Sequence, residues 1–246
     1  MVNEKYNNTI FLTFDIDWAC DEVIAETIEL LEQEKISATI FVTNDSPILK
    51  RMRCNEVIEL GIHPNFNNLF DGINKEKGTE KIVKELKEIV PEAKSIRSHS
   101  LVQSSKLLDV FVKNGFTHET NQFIPDYSGI NILPYRHLNG IIRAPYKWED
   151  SVHFEAVEKG FQKDWDIKRC LSKDGLKIFN FHPIHIFLNT EKVERYENSR
   201  DAHKDVIQLE KHKNKKNIGT RDILIELINE GKKRNLNFSR ISEIEV

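Results

Sequence analysis

No stretch of this 246-residue sequence approaches the run of about 18 apolar residues that a membrane-spanning helix needs. The first thirty residues also lack a basic segment followed by an apolar one, which a secretion signal would show. The net charge is −3, and acidic and basic residues are mixed along the chain, so no basic surface for nucleic acid is indicated. We therefore expect a cytoplasmic protein with no membrane span and no nucleic-acid partner.

Cysteine is also scarce, with three residues scattered at Cys20, Cys54 and Cys170. An odd number at irregular spacing predicts neither a disulfide framework nor a cysteine-rich zinc site. The length suits one sizeable core, because an α/β barrel uses about 200 to 250 residues as a single domain. We expect one domain over residues 1–246.

Strand-like and helix-like segments alternate along the chain. Residues 9–14 are β-branched and aromatic, as in a buried strand, whereas residues 22–34 carry apolar side chains at helical spacing. Further strands are predicted at 38–43, before His63, and at 95–97, 116–120, 140–143, 177–181 and 238–244, and further helices at 56–60, 79–90, 104–115, 151–159 and 220–233. This alternation favours a parallel sheet or barrel of the α/β class.

One segment, at about residues 191–219, breaks the alternation because it is charge-dense and poor in apolar residues. Such a composition predicts a charged surface loop, a lid or a solvated helix. Helical spacing resumes over residues 220–233, so we interpret the segment as an insertion within the same domain.

Polar residues follow the predicted strands where a barrel enzyme builds its active site. They are Asp15 and Asp17 after the first strand, His63, Arg97 and His99 after later ones, and His182 and His185 after residues 177–181. Active sites of barrel enzymes are assembled at the carboxyl ends of the strands, so we expect these side chains to converge on one face. Carboxylate and imidazole ligands suit zinc and similar divalent ions. A divalent metal ion, with zinc favoured, is therefore the expected cofactor.

Each of these features has an ordinary structural explanation when it is taken alone. An Asp-x-Asp sequence at a strand end is often a turn or a helix cap, and a histidine before proline is more often structural than a ligand. An arginine at a strand end is often a surface ion pair. The joint placement of these residues favours the functional interpretation.

The motifs and their order resemble the NodB-type polysaccharide deacetylases of carbohydrate esterase family 4. The first motif is Thr-Phe-Asp-Ile-Asp at residues 13–17. The later motifs are similar to the divergent WbmS-like branch associated with surface polysaccharides: Gly-Ile-His-Pro-Asn-Phe-Asn at 61–67, Arg-Ser-His-Ser-Leu at 97–101 and Phe-His-Pro-Ile-His at 181–185. The resemblance spans about residues 9–189. It implies a distorted (β/α) barrel of the NodB-homology type and an enzyme that removes an acetyl group from an amino sugar. Because no export signal is found, we expect that sugar to belong to a surface-glycan precursor.

The resemblance also implies a role for individual residues. Asp15 matches the general base, Asp17 the metal-binding aspartate, His63 the first metal-binding histidine, Arg97 the arginine that orients the base, and His182 the general acid. Trp148 and Asp150 resemble the later motif that walls the site and holds the arginine, so we expect both near the substrate. Tyr146 and Trp148 either stack on a sugar ring or pack beside Pro145.

One departure from the family pattern concerns the metal ligands. Asn67 stands where the family has the second histidine of a His-x-x-x-His motif, and an amide oxygen is a poorer zinc ligand than imidazole. We therefore expect His99 to complete the ligand set with Asp17 and His63, and Asn67 to bind the substrate or the metal-bound water. His185 either orients His182 or the metal through a hydrogen bond from behind, or lies in the core, and we also place it among the expected substrate-binding residues.

Other interpretations remain open at the level of sequence. In the first interpretation, His99 binds only the substrate, the metal site is weak or lost, and the chain is a catalytically degenerate sugar-binding protein. In the second, the same ligands serve a metal-dependent hydrolase of another amide or ester bond. The sequence leaves the oligomeric state open.

Overall fold

The computed structural model describes residues 6–17, 19–71, 78–162 and 166–246. Within these residues, ten strands form one curled and mostly parallel sheet. The strands are β1 (Thr9–Asp15), β2 (Ala38–Val42), β3 (Ile58–Ile62), β4 (Ser95–Ile96), β5 (His118–Glu119), β6 (Tyr135–Arg136), β7 (Ile142–Arg143), β8 (Trp148–Glu149), β9 (Lys177–Phe181) and β10 (Asn237–Ser239).

Helices connect most of the strands. They are α1 (Asp21–Glu34), α2 (Ile48–Arg53), α3 (Asn67–Phe70), α4 (Gly78–Ile89), α5 (Ser105–Lys113), α6 (Asp150–Glu158), α7 (Ile167–Ser172), α8 (Pro183–Leu188), α9 (Val193–Glu197), α10 (Val206–Glu210) and α11 (Thr220–Lys233). Among the described residues, none of these helices combines the length and the apolar character needed to cross a bilayer.

The strands follow the order β6-β7-β5-β4-β3-β2-β1-β9-β8 across the sheet. Only the β6–β7 pair in this order is antiparallel. The first half of β1 pairs with β10 and its second half with β2, while β9 runs along its other side. The predicted distorted (β/α) barrel of the NodB-homology type in a single domain is confirmed: the curled sheet forms a half-barrel, and the carboxyl ends of its parallel strands lie at one rim.

Strand β1 shows how the sequence sorts side chains between the two faces of the sheet. Successive residues of a strand point to opposite faces. Ile10, Leu12 and Phe14 belong to the large core cluster under the helices. The alternate positions Thr13 and Asp15 are buried on the inner face of the curl. The strand therefore carries Asp15 into the interior at its carboxyl end.

Gly61 allows close packing beneath the same rim. A Cβ atom at this position would lie 2.6 Å from the Phe41 ring and 2.8 Å from the Ser95 carbonyl oxygen. Real Cβ atoms do not approach other atoms so closely, so a side chain would force β2, β3 and β4 apart. The glycine therefore sets the spacing of the strands two residues before His63.

The structure corrects two predicted elements. The helix predicted over residues 56–60 is wrong, because Ile58, Leu60 and Ile62 alternate along strand β3, which pairs with β2. The strand predicted over 238–244 is shorter: β10 is followed by a 3-10 turn at Ile241–Glu243. By contrast, the helix predicted over 220–233 is confirmed by α11.

The charge-dense segment at about residues 191–219 contains regular structure. It includes α9, a 3-10 turn at Arg200–Ala202 and α10. Its apolar side chains Ala202 and Leu209 are buried in a small cluster with residues of α8. The segment therefore forms a packed outer layer with a charged surface.

Candidate active site

Polar side chains from distant parts of the chain meet at the carboxyl rim of the sheet. They line a cavity of about 330 Å³ whose walls are Asp15, Asp17, His63, Ser98, His99, Ser100, Leu101, Glu149, Ser151 and His182. The strands that precede these residues are neighbours in the sheet, since β9, β1, β2, β3 and β4 are consecutive in the strand order. The strand order therefore brings these side chains together at one rim, as the sequence predicted.

One carboxylate and two imidazoles form the cluster at one side of this cavity. Asp17 Oδ2 lies 2.9 Å from His63 Nε2 and 2.9 Å from His99 Nδ1. The three donor atoms all lie within 4.8 Å of one another. Metal–ligand bonds of about 2.0–2.2 Å around a tetrahedral ion put donor atoms roughly 3.3–3.6 Å apart, so these side chains can hold a divalent ion with little movement.

Asn67 lies outside this cluster. Its amide nitrogen donates to the Ser100 hydroxyl at 3.4 Å, and its backbone N–H is bonded to the Asn65 side chain at the start of α3. The structure therefore brings His99 to the position of the third donor. The predicted contact of Asn67 with substrate stays a prediction.

Asp15 lies between the cluster and His182. Its Oδ1 accepts a hydrogen bond from Arg97 at 3.2 Å and lies 3.6 Å from His63 Nδ1. Its Oδ2 accepts from the Asn180 amide at 2.8 Å and lies 4.0 Å from His182 Nε2. One oxygen of the carboxylate thus lies beside the ring of a candidate metal ligand, His63, and the other lies toward a candidate proton donor, His182.

Arg97 is fully buried, at 0% exposure, beneath Asp15. Its guanidinium carbon lies over the rings of Phe41 and Tyr146, at 4.7 Å and 4.6 Å from their centroids. Its Nε donates to the Thr120 carbonyl at 3.1 Å. Tyr146 is therefore a packing residue and not a sugar platform, in line with one of the two alternatives left open by the sequence.

His182 is held by Asp150. The carboxylate accepts from His182 Nδ1 and from the His182 backbone N–H, both at 2.7 Å. Burial lowers the pKa of His182, but the charge and the hydrogen bond of Asp150 outweigh this effect and raise the pKa to about 10. The imidazole is accordingly protonated at neutral pH, with Nε2 directed to the side of Asp15.

The prediction that Asp150 holds the arginine is wrong. Strand β8 is the neighbour of β9, so the residue after β8 lies beside the residue after β9. Arg97 follows β4, which lies across the curl, where Thr120 and Asn180 bind the guanidinium.

At this rim, the Asp15 carboxylate therefore lies between a possible metal site and the protonated imidazole of His182. The WbmS-like family of polysaccharide deacetylases matches residues 12–200 of the chain. The chain is also 38% identical to a Bordetella bronchiseptica protein (WbmS) whose crystal structure is assigned to a polysaccharide deacetylase involved in O-antigen biosynthesis. That match covers 93% of each chain with a TM-score of 0.84. This chain belongs to the WbmS-like polysaccharide deacetylase family.

More distant structures share the fold alone. A family 4 carbohydrate esterase from Bacillus anthracis is 16% identical, with a TM-score of 0.51 over 98% of this chain and 88% of the esterase. A 4-alpha-glucanotransferase from Thermococcus litoralis is 12% identical, with a TM-score of 0.52 over 96% of this chain and 37% of the other. No curated protein matches the sequence. The fold is thus compatible with more than one chemistry, and the site must decide between them.

Three residues expected near the substrate of this family member lie behind the cavity wall. Trp148 is buried with its ring 4.8 Å from that of Phe181, and Asp150 is fully buried against His182. His185 is buried as well, and its Nδ1 is bonded to the Thr190 hydroxyl at 3.1 Å. The predicted substrate contacts of Trp148, Asp150 and His185 are therefore corrected to support from beneath the site.

His185 belongs to a second group of possible metal donors, with Asp150 and His182. Burial lowers the pKa of His185 to about 4, so the ring is neutral at ordinary pH. Both oxygens of Asp150 already accept hydrogen bonds from His182. This group is therefore a hydrogen-bonded support of the proton donor.

Sequence reasoning missed several residues of this deacetylase-family site. Asn180 is a polar residue in the apolar strand β9, two residues before His182. Because the side chains of a strand alternate with a period of two, Asn180 and His182 lie on the same face, so the sequence did contain a signal for this residue. Glu149 precedes Asp150 and faces the cavity. Ser100 and Leu101 both have a φ of +55°, a strained left-handed backbone at the cavity edge that no sequence pattern indicated.

Proposed function

We propose that this protein is a metal-dependent deacetylase that hydrolyses the N-acetyl group of an amino sugar in a surface-glycan precursor. The observation that carries the proposal is the position of Asp15, between the Asp17–His63–His99 cluster and His182. A base, a Lewis-acid site and a proton donor around one cavity are the groups that amide hydrolysis requires. Membership of the WbmS-like family supports the same reaction.

The residues present fit a divalent ion. Metal binding requires both imidazoles to be neutral. The four carboxylates at the site (Asp15, Asp17, Glu149 and Asp150) then stand against two cations, Arg97 and the protonated His182. One divalent ion held by Asp17, His63 and His99 would balance the two excess negative charges. Carboxylate with imidazole suits zinc among the available metals.

When bound, such an ion polarises the acyl carbonyl and makes the attacking water more acidic. Asp15 accepts a proton from that water as the water oxygen forms a bond to the carbonyl carbon. Arg97 keeps the carboxylate aimed and balances its charge through the 3.2 Å contact.

His182 completes the reaction at the leaving group. Its Nε2 donates a proton to the sugar nitrogen as the carbon–nitrogen bond breaks, which releases acetate and the free amine. Asp150 holds the ring so that Nε2 faces the cavity, and its charge keeps the imidazole protonated until that step.

Two aspartate variants, compared with the wild type for bound metal and released acetate, test the proposal. Asp15→Asn should retain stoichiometric metal and lose turnover by about 10²–10⁴-fold, because only the base is removed. Asp17→Ala should lose both metal and turnover.

The acetate-release assay should test N-acetylated sugar nucleotides, lipid-linked glycans and polymers as substrates, with O-acetylated sugars as a comparison. If acetate were released only from the O-acetylated sugars, the protein would be an esterase and not an amidase. A purified protein without metal that binds sugars and releases no acetate would be the degenerate sugar-binding protein. Full activity of Asp15→Asn would overturn the mechanism.

A further inference from the structure

The side chain of Asn180 occupies a junction that the proposed reaction does not yet use. Asn180 has 0% exposure in the middle of β9, on the same face of the strand as His182. Its Oδ1 accepts from the Thr13 hydroxyl at 3.0 Å and from Arg97. Its Nδ2 donates to Asp15 Oδ2 at 2.8 Å and lies 3.4 Å from Glu149 Oε2.

The surroundings allow only one orientation of this amide. The amide oxygen faces a guanidinium and a hydroxyl, and the amide nitrogen faces two carboxylates. A rotated amide would set N–H groups against the guanidinium and an oxygen against the carboxylates, which loses the hydrogen bonds to Arg97, Asp15 and Glu149. The orientation of Asn180 is therefore fixed by charges on both sides.

Arg97 alone does not fix the orientation of Asp15. The guanidinium contacts only Oδ1 of this carboxylate, at 3.2 Å. Oδ2 is the oxygen nearer to His182, and the hydrogen bond from Asn180 is what holds it. Two separate donors on two oxygens restrict the rotation of a carboxylate about its last bond more tightly than one donor does.

We infer that Asn180 is a positioning residue for Asp15: one amide locks the rotation of the carboxylate and joins it to Arg97. Glu149 secures the amide from the cavity side, and its Oε1 is in turn fixed by the Ser151 hydroxyl at 2.7 Å. This inference rests on the proposed function, in which Asp15 is the base. A misplaced catalytic group can cost roughly 100-fold in rate, so the amide is expected to act on kcat.

The first test is structural and needs no turnover. Crystal structures of the metal-loaded wild type and of Asn180→Ala are compared at the Asp15 side chain. In the variant, we expect the Asp15 carboxylate to rotate or to occupy more than one rotamer, with Asp17, His63 and His99 unmoved. A single unchanged Asp15 rotamer in Asn180→Ala would overturn the inference, whatever the activity of the wild type.

The second test is kinetic and separates positioning from general damage. In Asn180→Ala, kcat should fall roughly 100-fold, with KM changed less than about threefold and bound metal retained. In an Asp15→Asn background, the same substitution should cost almost nothing further, because residues that act as a unit are not additive. An equal loss in both backgrounds, or a loss of metal, would contradict the inference.

A matched control is Asn214→Ala. Asn214 is a buried asparagine with four side-chain hydrogen bonds, but it lies in the outer layer, where it binds residues 189, 216 and 217. Its loss should lower the free energy of unfolding and leave kcat unchanged. If the wild type releases no acetate from any substrate, the proposed function fails, and the crystallographic comparison still decides whether Asn180 positions Asp15.

Discussion

Two buried carboxylates at the site have different partners and are therefore suited to different tasks. Asp15 is bound by Arg97 and Asn180 and opens to the cavity. Asp150 has no exposure and gives both oxygens to His182. At the scale of the residue, these contacts distinguish the proposed base, Asp15, from the residue that anchors the proposed acid, His182.

Asp150→Asn tests this separation through the pH dependence of kcat. In the proposed mechanism, His182 can donate a proton only while it is protonated, so wild-type activity should persist until the pH approaches its pKa of about 10 and fall above that value. The neutral amide removes the charge that outweighs burial, so the pKa of His182 should fall. The alkaline limb of the profile should therefore move to lower pH, by roughly 1–3 units.

The control for this profile is Asp205→Asn, which alters the N-cap of α10 on the outer layer. It should leave the alkaline limb in place. An unchanged limb in Asp150→Asn would mean that another group donates the proton.

At the scale of the element, the outer layer shows how composition can conceal structure. Residues 191–219 are dense in charge, yet Leu209 and Ala202 pack on α8, and the Lys213 ammonium lies 3.6 Å from the centroid of the Phe187 ring. The few apolar residues of the segment pack on α8 and on Val23 of α1. Helix α8 directly follows His182 in the chain.

Two residues of α10 give a matched test of this packing. Leu209 is 0% exposed and Ile207 is 73% exposed on the same helix. Leu209→Ala should lower the free energy of unfolding by about 2–5 kcal/mol, because it leaves a cavity. Ile207→Ala should change it by less than about 0.5 kcal/mol.

Urea denaturation of the two variants measures the difference. Equal and small effects would mean that the segment is a loosely attached lid and not a packed layer.

At the scale of the whole molecule, the candidate metal site is expected to affect the free energy of unfolding, because its ligands come from several strands of one sheet. The three candidate ligands follow β1, β3 and β4, so an ion bound to them would link strands from different parts of the chain. A ligand that binds only the folded state stabilises it by mass action. Metal binding should therefore act on the unfolding of the entire domain.

Thermal unfolding with and without divalent metal tests this link. Zinc at about 100 times its Kd should add about 2.7 kcal/mol to the free energy of unfolding, and chelation should remove the gain. Asp17→Ala should unfold at the same temperature with or without zinc, whereas Asp15→Asn should still respond. A response in Asp17→Ala equal to that of the wild type would place the metal elsewhere.

Much of the fold could be predicted from local patterns. Alternating strand and helix signals specified an α/β sheet, and the bounds of α11 followed from helical spacing alone. The error at residues 56–60 arose because short apolar runs carry little periodicity, and pairing with β2 decided the strand.

The sequence by itself determined which chemistry-bearing residues stand at strand ends, since Asp15, Asp17, His63, Arg97 and His182 all follow buried strand patterns. Only the tertiary structure decided how these residues are paired. Asp150 binds His182 because β8 and β9 are neighbours, and Asn180 reaches Asp15 because β9 pairs with β1. The order of strands in a sheet depends on long-range packing, and local periodicity does not encode it.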